Sequence, residues 1–302
     1  MLVDSHCHLQ DRQFDADRDA VLQRARDAGV SAIVAIGTDL DDSRRAVDLA
    51  DSIENVYAVA GFHPHNASTL TRADVDALYL LANSPSVVAI GEIGLDFYRN
   101  LSPPDAQRRA FVQQLELAKA LSLPVVIHSR DADEETFEIL ASYERQALPD
   151  WPKDRPLGVM HCFAGDLMLA LRYIQLGFML SVPGSCTYPK ADRICAVAGG
   201  IPLRWMAVET DAPYLTPQTH RGQRNEPAYL VETVKHIAGL RGDSFEEVAS
   251  GTAVSAAWLF GLGDIGEPSA NVGATPSASL SPRRVAFGDR TGLGSPGAEE
   301  AG

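Results

Sequence analysis

Short apolar runs alternate with helix-like segments along most of this chain, and this alternation restricts the possible folds more than any other feature. In the segments between the runs, apolar residues recur three and four positions apart, which is the helical period. Continuous apolar strands separated by helices are typical of a parallel sheet that is covered on both faces. The eight apolar runs span residues 2–4, 32–36, 56–60, 87–91, 125–128, 158–161, 178–182 and 205–208.

Eight strand–helix units in the first 262 residues match the size of a (β/α)8 TIM barrel, which is the α/β fold that we predict. An open, doubly wound sheet is the alternative. The composition changes after Leu262, because residues 263–302 are rich in Gly, Ser, Pro and Ala. Such a segment buries too little surface to offset the entropy of ordering it. We therefore expect one barrel domain over residues 1–262 and a disordered tail over residues 263–302.

The net charge and the N-terminal sequence argue against several classes of protein. The formal net charge of −14 argues against a protein that coats nucleic acid, because nonspecific binding depends on many Lys and Arg contacts to phosphate. It leaves open an enzyme that holds one strand end locally. No run approaches the roughly 20 apolar residues of a membrane span, and the opening MLVDSHCHLQ lacks the features of a secretory leader. We expect a cytoplasmic monomer whose cysteines are reduced.

Potential metal ligands stand at the ends of five predicted strands. His6 and His8 share one face of the first strand, because strand side chains alternate. Single ligand-type residues follow four later runs, namely Glu92, His128, His161 and Asp211. A carboxylate directly after a buried strand is destabilising unless it is paired or bound to a metal. In a TIM barrel these strand ends meet at the face where active sites form, so the pattern predicts a metal centre there.

Six nitrogen and oxygen ligands are too many for one tetrahedral zinc. They fit two divalent ions about 3.5–4 Å apart that share a carboxylate and a water. Glu92, on a central strand, is the predicted bridge, and Asp211 is the predicted acceptor of a proton from the attacking water. These two residues are the catalytic candidates. Mg, Mn and Zn are all compatible with the ligands, and the sequence does not choose among them.

Four further residues are predicted to contact substrate. His63 lies in the strand end GFHPH, and a structural role is the alternative for it. Arg130 follows His128 by two residues and so can share its face, where it contacts substrate or pairs with a carboxylate. Arg221 and Arg224 lie in the loop 216–227 and either hold phosphate oxygens or are ordinary surface arginines.

The other histidines and the cysteines beside the ligands are not among the predicted site residues. His65 and His220 stay open, and His236 is predicted to be a surface or packed histidine. Cys7 and Cys162 each neighbour a predicted ligand. Strand alternation directs both thiols towards the helical layer, where buried cysteines are common.

Several motifs together resemble the TatD family of metal-dependent hydrolases. They are DSHCHL, GFHPH, IGEIGLDFYR, LPVVIHSRDA, MHCFAG and VETDAPYLTP followed by RGQRNEPAY, and the match runs from about residue 1 to residue 262. The resemblance implies a TIM barrel, a divalent metal centre and a deoxyribonuclease, often a 3′→5′ exonuclease on single-stranded DNA. It supports the six metal ligands and implies a substrate-facing role for His63. Ser255 departs from the family, which usually has Asn there; this concerns the packing of the last helix rather than the metal site.

Three hypotheses follow. The first is phosphodiester hydrolysis of DNA by a metal-activated water. The second is hydrolysis of the ester in D-aminoacyl-tRNA at the same centre, because some proteins of the family are assigned as such deacylases. The third is a noncatalytic binding protein on an inherited barrel, and retention of all six ligands argues against it.

Overall fold

Eight parallel strands follow one another around one sheet in the order of the chain. The structure, a computed structural model, describes residues 1–145, 151–152 and 155–262. The strands are β1 (Leu2–Cys7), β2 (Val30–Ile36), β3 (Val56–Ala60), β4 (Val87–Asp96), β5 (Val125–Arg130), β6 (Gly158–Met160), β7 (Phe178–Val182) and β8 (Met206–Val208). The predicted tail, residues 263–302, lies outside the described residues.

A helix follows every strand, and one more helix ends the described chain. The helices are α1 (Arg18–Asp27), α2 (Leu40–Ser52), α3 (Arg72–Leu81), α4 (Pro104–Leu121), α5 (Asp133–Arg145), α6 (Leu167–Gln175), α7 (Asp192–Gly200), α8 (Leu230–Arg241) and α9 (Phe245–Phe260). In the part of the chain that the structure describes, no helix is both long enough and apolar enough to span a bilayer.

Hydrogen bonds join the first strand to the last and to the segment after it. Ser5 Oγ donates to the Val208 carbonyl at 2.9 Å. The Asp211 N–H donates to the His6 carbonyl, also at 2.9 Å. These bonds bring β1 and β8 together, so the sheet curls into the predicted (β/α)8 barrel and the open-sheet alternative is excluded.

The fourth strand runs to Asp96, beyond its predicted end at residue 91. A glycine interrupts the apolar run at that position, which is why the sequence alone indicated an end. The strand continues because Ile93 and Leu95 are fully buried against the helical layer. Glu92 therefore lies within a strand and not after one, and this part of the prediction is corrected.

The barrel interior is closed at one end by α9. Inward-facing strand residues form one apolar cluster that includes Val3, Val34, Val59, Val126 and Met179. The last helix adds Ala253, Ala256, Leu259 and Phe260 to this cluster. Met1 and Trp205, which precede β1 and β8, also pack against it. Because these two residues mark where strands begin, α9 covers the N-terminal end of the barrel and leaves the C-terminal end open.

Ser255, which replaces the Asn usual in the family, is accommodated within α9. Its hydroxyl is buried and lies within hydrogen-bond distance of two acceptors, the Leu203 carbonyl at 3.0 Å and the Gly251 carbonyl at 2.9 Å. The single hydroxyl proton is therefore satisfied inside the protein. The last helix therefore packs at this position without an Asn.

Candidate metal centre

The Glu92 carboxylate lies at the centre of the predicted ligands. Its Oε2 atom is 3.5 Å from His6 Nε2. Its Oε1 atom is 2.8 Å from His128 Nδ1 and 3.7 Å from His161 Nε2. The two oxygens of one carboxylate therefore face different imidazoles, and the side chain is only 3% exposed.

Asp211 closes the side of the centre formed by β1. Its Oδ1 atom is 3.7 Å from His6 Nε2 and 3.4 Å from His8 Nε2. The residue has a φ of 55°, in the left-handed region that Asp tolerates better than most residues. That turn after β8 aims the carboxylate at the barrel axis, where the sequence predicted a ligand.

Two of the imidazoles are oriented by hydrogen bonds to their Nδ1 atoms. His8 Nδ1 lies 3.0 Å from the Ile36 carbonyl, and His161 Nδ1 lies 3.0 Å from Glu209 Oε2. Each Nδ1 therefore carries a proton and donates, which leaves Nε2 directed at the centre as the atom available to a metal. Metal-binding histidines in proteins are typically held in this way.

His6 provides the most direct test of whether a metal fits. The residue is 1% exposed, and neither of its ring nitrogens has a hydrogen-bond partner among the described residues. Its ring stacks on that of His161, with centroids 3.4 Å apart. A buried polar atom without a partner is destabilising, and a cation at Nε2 would remove that penalty for this atom. The donor set is thus suited to a divalent metal.

Charges in the centre favour ionised carboxylates. Burial acts to raise the pKa of Glu92, but the surrounding imidazoles, led by His63 and His161, hold it well below its usual range. Burial likewise acts to lower the pKa of His161, whereas the Glu209 and Glu92 carboxylates raise it to about 10. Glu92 is therefore ionised near pH 7, and a cation bound at the centre would take the place of the proton on His161 Nε2.

His63 is close to the centre but is not arranged as a ligand. Its Nδ1 accepts the His65 N–H at 3.1 Å, so in the neutral ring the proton is on Nε2. Burial lowers the pKa of His63 to about 4, which keeps the ring neutral near pH 7. The Nε2–H then points to Glu92 Oε1 at 3.5 Å. The ring thus offers a hydrogen-bond donor, which is compatible with the predicted contact to substrate.

Two buried carboxylates next to the ligands were not predicted. Asp96 Oδ2 is 2.8 Å from His65 Nε2 and 3.2 Å from His128 Nε2. Glu209 accepts hydrogen bonds from His161 and from the Cys162 N–H. A signal for Asp96 existed, because it is an acidic residue at the end of a buried strand, but β4 was predicted to stop at residue 91.

A cavity of about 1030 Å³ opens above the centre, and only some of the predicted substrate residues line it. His63 and Arg130 are in its wall, together with the unpredicted Arg99. Arg221 and Arg224 are not in this wall. The Arg221 guanidinium instead lies 4.2 Å from the Tyr188 ring centroid.

Arg224 is held at a distance from the cavity wall by its own contacts. Both of its terminal nitrogens donate to Asp17, each at 2.8 Å, and its guanidinium lies over the Phe14 ring. The loop arginine therefore ties residues 216–227 to the segment before α1. Substrate contact by Arg221 and Arg224 stays a prediction.

The two cysteines beside the ligands differ in orientation. Cys7 packs in the layer between strands and helices, as predicted. Cys162, however, lines the cavity. Its predicted orientation was wrong because β6 ends at Met160 and Cys162 has a φ of 46°, so strand alternation no longer applies.

The remaining histidines make local contacts. His220 stacks on Tyr229 with ring centroids 3.8 Å apart. His236 Nε2 lies 3.7 Å from Cys195 Sγ, outside the cavity wall. His65 is in the wall and bonds to Asp96.

Comparison with known proteins identifies the family. The family described as TatD related DNase matches residues 3–261 of this chain. The chain belongs to the TatD family. It is 38% identical to the uncharacterized metal-dependent hydrolase YabD of Bacillus subtilis, over 86% of this chain and 99% of that protein. It is 39% identical to the 3′-5′ ssDNA/RNA exonuclease TatD of Erwinia amylovora, over 86% of this chain and 100% of that protein.

The solved structures agree with this TatD family assignment. The crystal structure of YJJV, a TatD homolog from Escherichia coli, superposes with a TM-score of 0.80 at 31% identity. The match covers 87% of this chain and 98% of that one. The family and the cluster of His, Glu and Asp ligands together make this protein a metal-dependent hydrolase.

Proposed function

We propose that this protein is a two-metal nuclease that removes nucleotides from the 3′ end of single-stranded DNA. The observation that carries the proposal is the position of Glu92, whose two oxygens face different imidazoles. One carboxylate placed in this way suits a pair of ions that it bridges. The exonuclease names of relatives such as the Erwinia amylovora protein support the substrate class.

The proposed ligands divide between the two faces of Glu92. His6, His8 and Asp211 would hold one ion, with Glu92 Oε2. His128 and Glu92 Oε1 would hold the other, and His161 lies between the two sides, because its Nε2 is near Oε1 and its ring stacks on His6. When bound, the ions would act as Lewis acids and lower the pKa of a water near Glu92. Mg, Mn and Zn all suit these ligands.

The protein's own groups would carry the proton and orient the phosphate. Asp211 is the carboxylate of the centre that is more open to the cavity, with a side chain 14% exposed against 3% for Glu92. We assign it the proton released by the attacking water. The His63 Nε2–H would donate to a phosphoryl oxygen of the scissile phosphate. Arg221 and Arg224 do not enter this assignment, because they contact Tyr188 and Asp17 instead.

A single chain supplies every proposed ligand. A monomer is therefore sufficient for activity, and we propose that the protein acts as a cytoplasmic monomer. Size-exclusion chromatography with light scattering tests the oligomeric state.

The decisive experiment compares substrates on metal-loaded protein. A single-stranded oligonucleotide labelled at its 5′ end should give a ladder that shortens from the 3′ end. A 3′-labelled copy should release labelled mononucleotide first. RNA of the same sequence and D-aminoacyl-tRNA are assayed in parallel. Ester cleavage without any shortening of DNA would reverse the proposal in favour of the deacylase.

Removal of metal supplies the first prediction. Chelation followed by desalting should abolish cleavage, because the attacking water depends on the ions for its activation. Added Mg, Mn or Zn should restore the rate, and the metal that does so best at matched occupancy identifies the preferred cofactor. Full activity in a preparation shown by elemental analysis to be free of metal would refute the mechanism.

A further inference from the structure

The open end of the barrel has a basic and aromatic margin, which we call the β4–β5 rim: Tyr98, Arg99 and Leu101 after β4, and Arg130 at the end of β5. We propose that this rim binds the retained strand, holding the phosphate next to the scissile one and stacking its base. The inference rests on the proposed nuclease function and assigns it a polymer-binding subsite.

Unpaired positive charge is the first observation. Among the described residues, three arginines lie in the cavity wall: Arg45, Arg99 and Arg130. Arg45 forms an ion pair with Asp42 at 2.7 Å. In the described part of the chain, Arg99 and Arg130 form no ion pair, although the sequence has 40 acidic residues against 26 Lys and Arg. Two guanidinium groups left without carboxylates in so acidic a protein are available to an anionic ligand, and a phosphate is the anion that a strand brings.

The rim is fixed to the metal centre through Asp96. Its Oδ1 accepts the Arg99 N–H at 2.7 Å, and its Oδ2 lies 3.2 Å from His128 Nε2. The Phe97 N–H donates to the Arg130 carbonyl at 2.9 Å, which holds the two strand ends side by side. A phosphate bound at the rim is therefore adjacent to the ligand wall and is positioned relative to it.

Exposed apolar surface on the rim offers a place for a nucleotide base to stack. Tyr98 is 62% exposed and Leu101 is 66% exposed, values that are unusual for side chains of this size. The Arg130 guanidinium lies 4.2 Å from the Tyr98 ring centroid, so an arginine and an aromatic plane are already stacked. Bases of single strands bind to such pairs without regard to sequence.

The closed end of the barrel decides which part of the substrate meets the rim. The side chains of α9 fill the N-terminal end, so a strand whose terminus reaches the metal centre must leave through the mouth by which it entered. The terminal nucleotide occupies the cavity. The rim at its margin therefore contacts the part of the strand that is retained after cleavage.

The test uses two phosphodiesters of different length. Bis(p-nitrophenyl) phosphate has one phosphate and no base, whereas a single-stranded oligonucleotide offers the second phosphate and its base. We expect R99A/R130A and Y98A to lower kcat/KM for the oligonucleotide by about tenfold or more relative to their effect on the small ester. The dependence of log(kcat/KM) on log[salt] should become shallower by about 0.7 for each phosphate that a variant can no longer neutralise.

R109A/R204A is the matched control. Arg109 and Arg204 are also exposed, their replacement removes the same charge, and neither lines the cavity. This variant should retain the wild-type ratio of the two rates. An equal decrease on both substrates in the rim variants, or no decrease on either, would overturn the rim assignment while leaving the nuclease in place. Wild-type protein that cleaves neither substrate would refute the proposed function itself.

Discussion

Among individual side chains, Glu92 matters most to the metal centre, because its two carboxylate oxygens face different imidazoles. Oε2 faces His6, while Oε1 faces His128 and His161. No other described carboxylate has its two oxygens divided between imidazoles in this way at the barrel axis. In Glu92→Gln an amide nitrogen replaces one of these oxygens. The substitution therefore removes a metal-binding oxygen from one side of the centre and the negative charge from both sides.

We predict that Glu92→Gln loses at least one ion per chain and nearly all turnover, because two close cations would then repel with less compensation. His128→Ala should weaken mainly one ion and retain more activity. Elemental analysis together with initial rates distinguishes the variants, and circular dichroism confirms that both are folded. A Glu92→Gln protein with full metal content and a near-normal rate would show that Glu92 is not the bridge.

Asp96 supplies a second prediction about a single side chain. It is 1% exposed and bonds to both His65 and His128, so it should set the orientation of the His128 ring. We expect Asp96→Asn to weaken metal affinity about 10- to 100-fold, with much of the lost rate recovered at saturating metal. Asp76→Asn, on the exposed face of α3, is the matched control. Unchanged metal affinity in Asp96→Asn would argue against a positioning role.

The six ligands could be predicted from sequence, because each is a polar residue within or after an apolar strand and strand ends meet in this fold. Asp96 and Glu209 were not predicted. Asp96 was missed because β4 was expected to end at residue 91, and the role of Glu209 depends on its contact with His161, 48 positions earlier in the chain. Similarly, the pairing of Arg224 with Asp17, 207 positions apart, is invisible until the barrel closes.

Among the strands and helices, the periodic pattern identified all eight strands but not their limits. β4 runs past a glycine because the residues beyond it remain buried. β6 stops before His161, so Cys162 turns towards the cavity against the alternation rule. The apolar pattern of the sequence locates the middle of a strand, whereas packing against other elements determines the residue at which the strand ends.

The last helix offers a prediction about the stability of the barrel. Leu259 is fully buried in the cluster that α9 forms with the strand interiors. Leu259→Ala should lower the free energy of unfolding by about 2–5 kcal/mol through the cavity it creates. Leu240→Ala on α8, where the side chain is 42% exposed, should change it by about 0.5 kcal/mol or less. Urea unfolding measures both, and equal effects would mean that α9 does not close the barrel.

For the protein as a whole, a negative net charge is compatible with the binding of a polyanion, because positive groups are located at the cavity. The net charge is −14, yet the wall of the cavity contains Arg99 and Arg130, which pair with no carboxylate among the residues that the structure describes. Bound divalent ions would add further positive charge at the same place. The proposed rim would thus attract a strand locally although the protein is acidic, which suits an enzyme that acts on one end.

Because α9 closes the N-terminal end of the barrel, we expect the enzyme to distinguish linear strands from circular ones. A blind pocket admits a chain terminus but cannot be threaded, so a covalently closed circle has no end to insert. We expect circular single-stranded DNA to resist digestion under conditions in which the same molecule, once linearised, is degraded from its 3′ end. Gel electrophoresis of both forms in one reaction gives the answer, and opening of the circle at a similar rate would contradict it. By closing the barrel, α9 would thus restrict the enzyme to strands that have a free end.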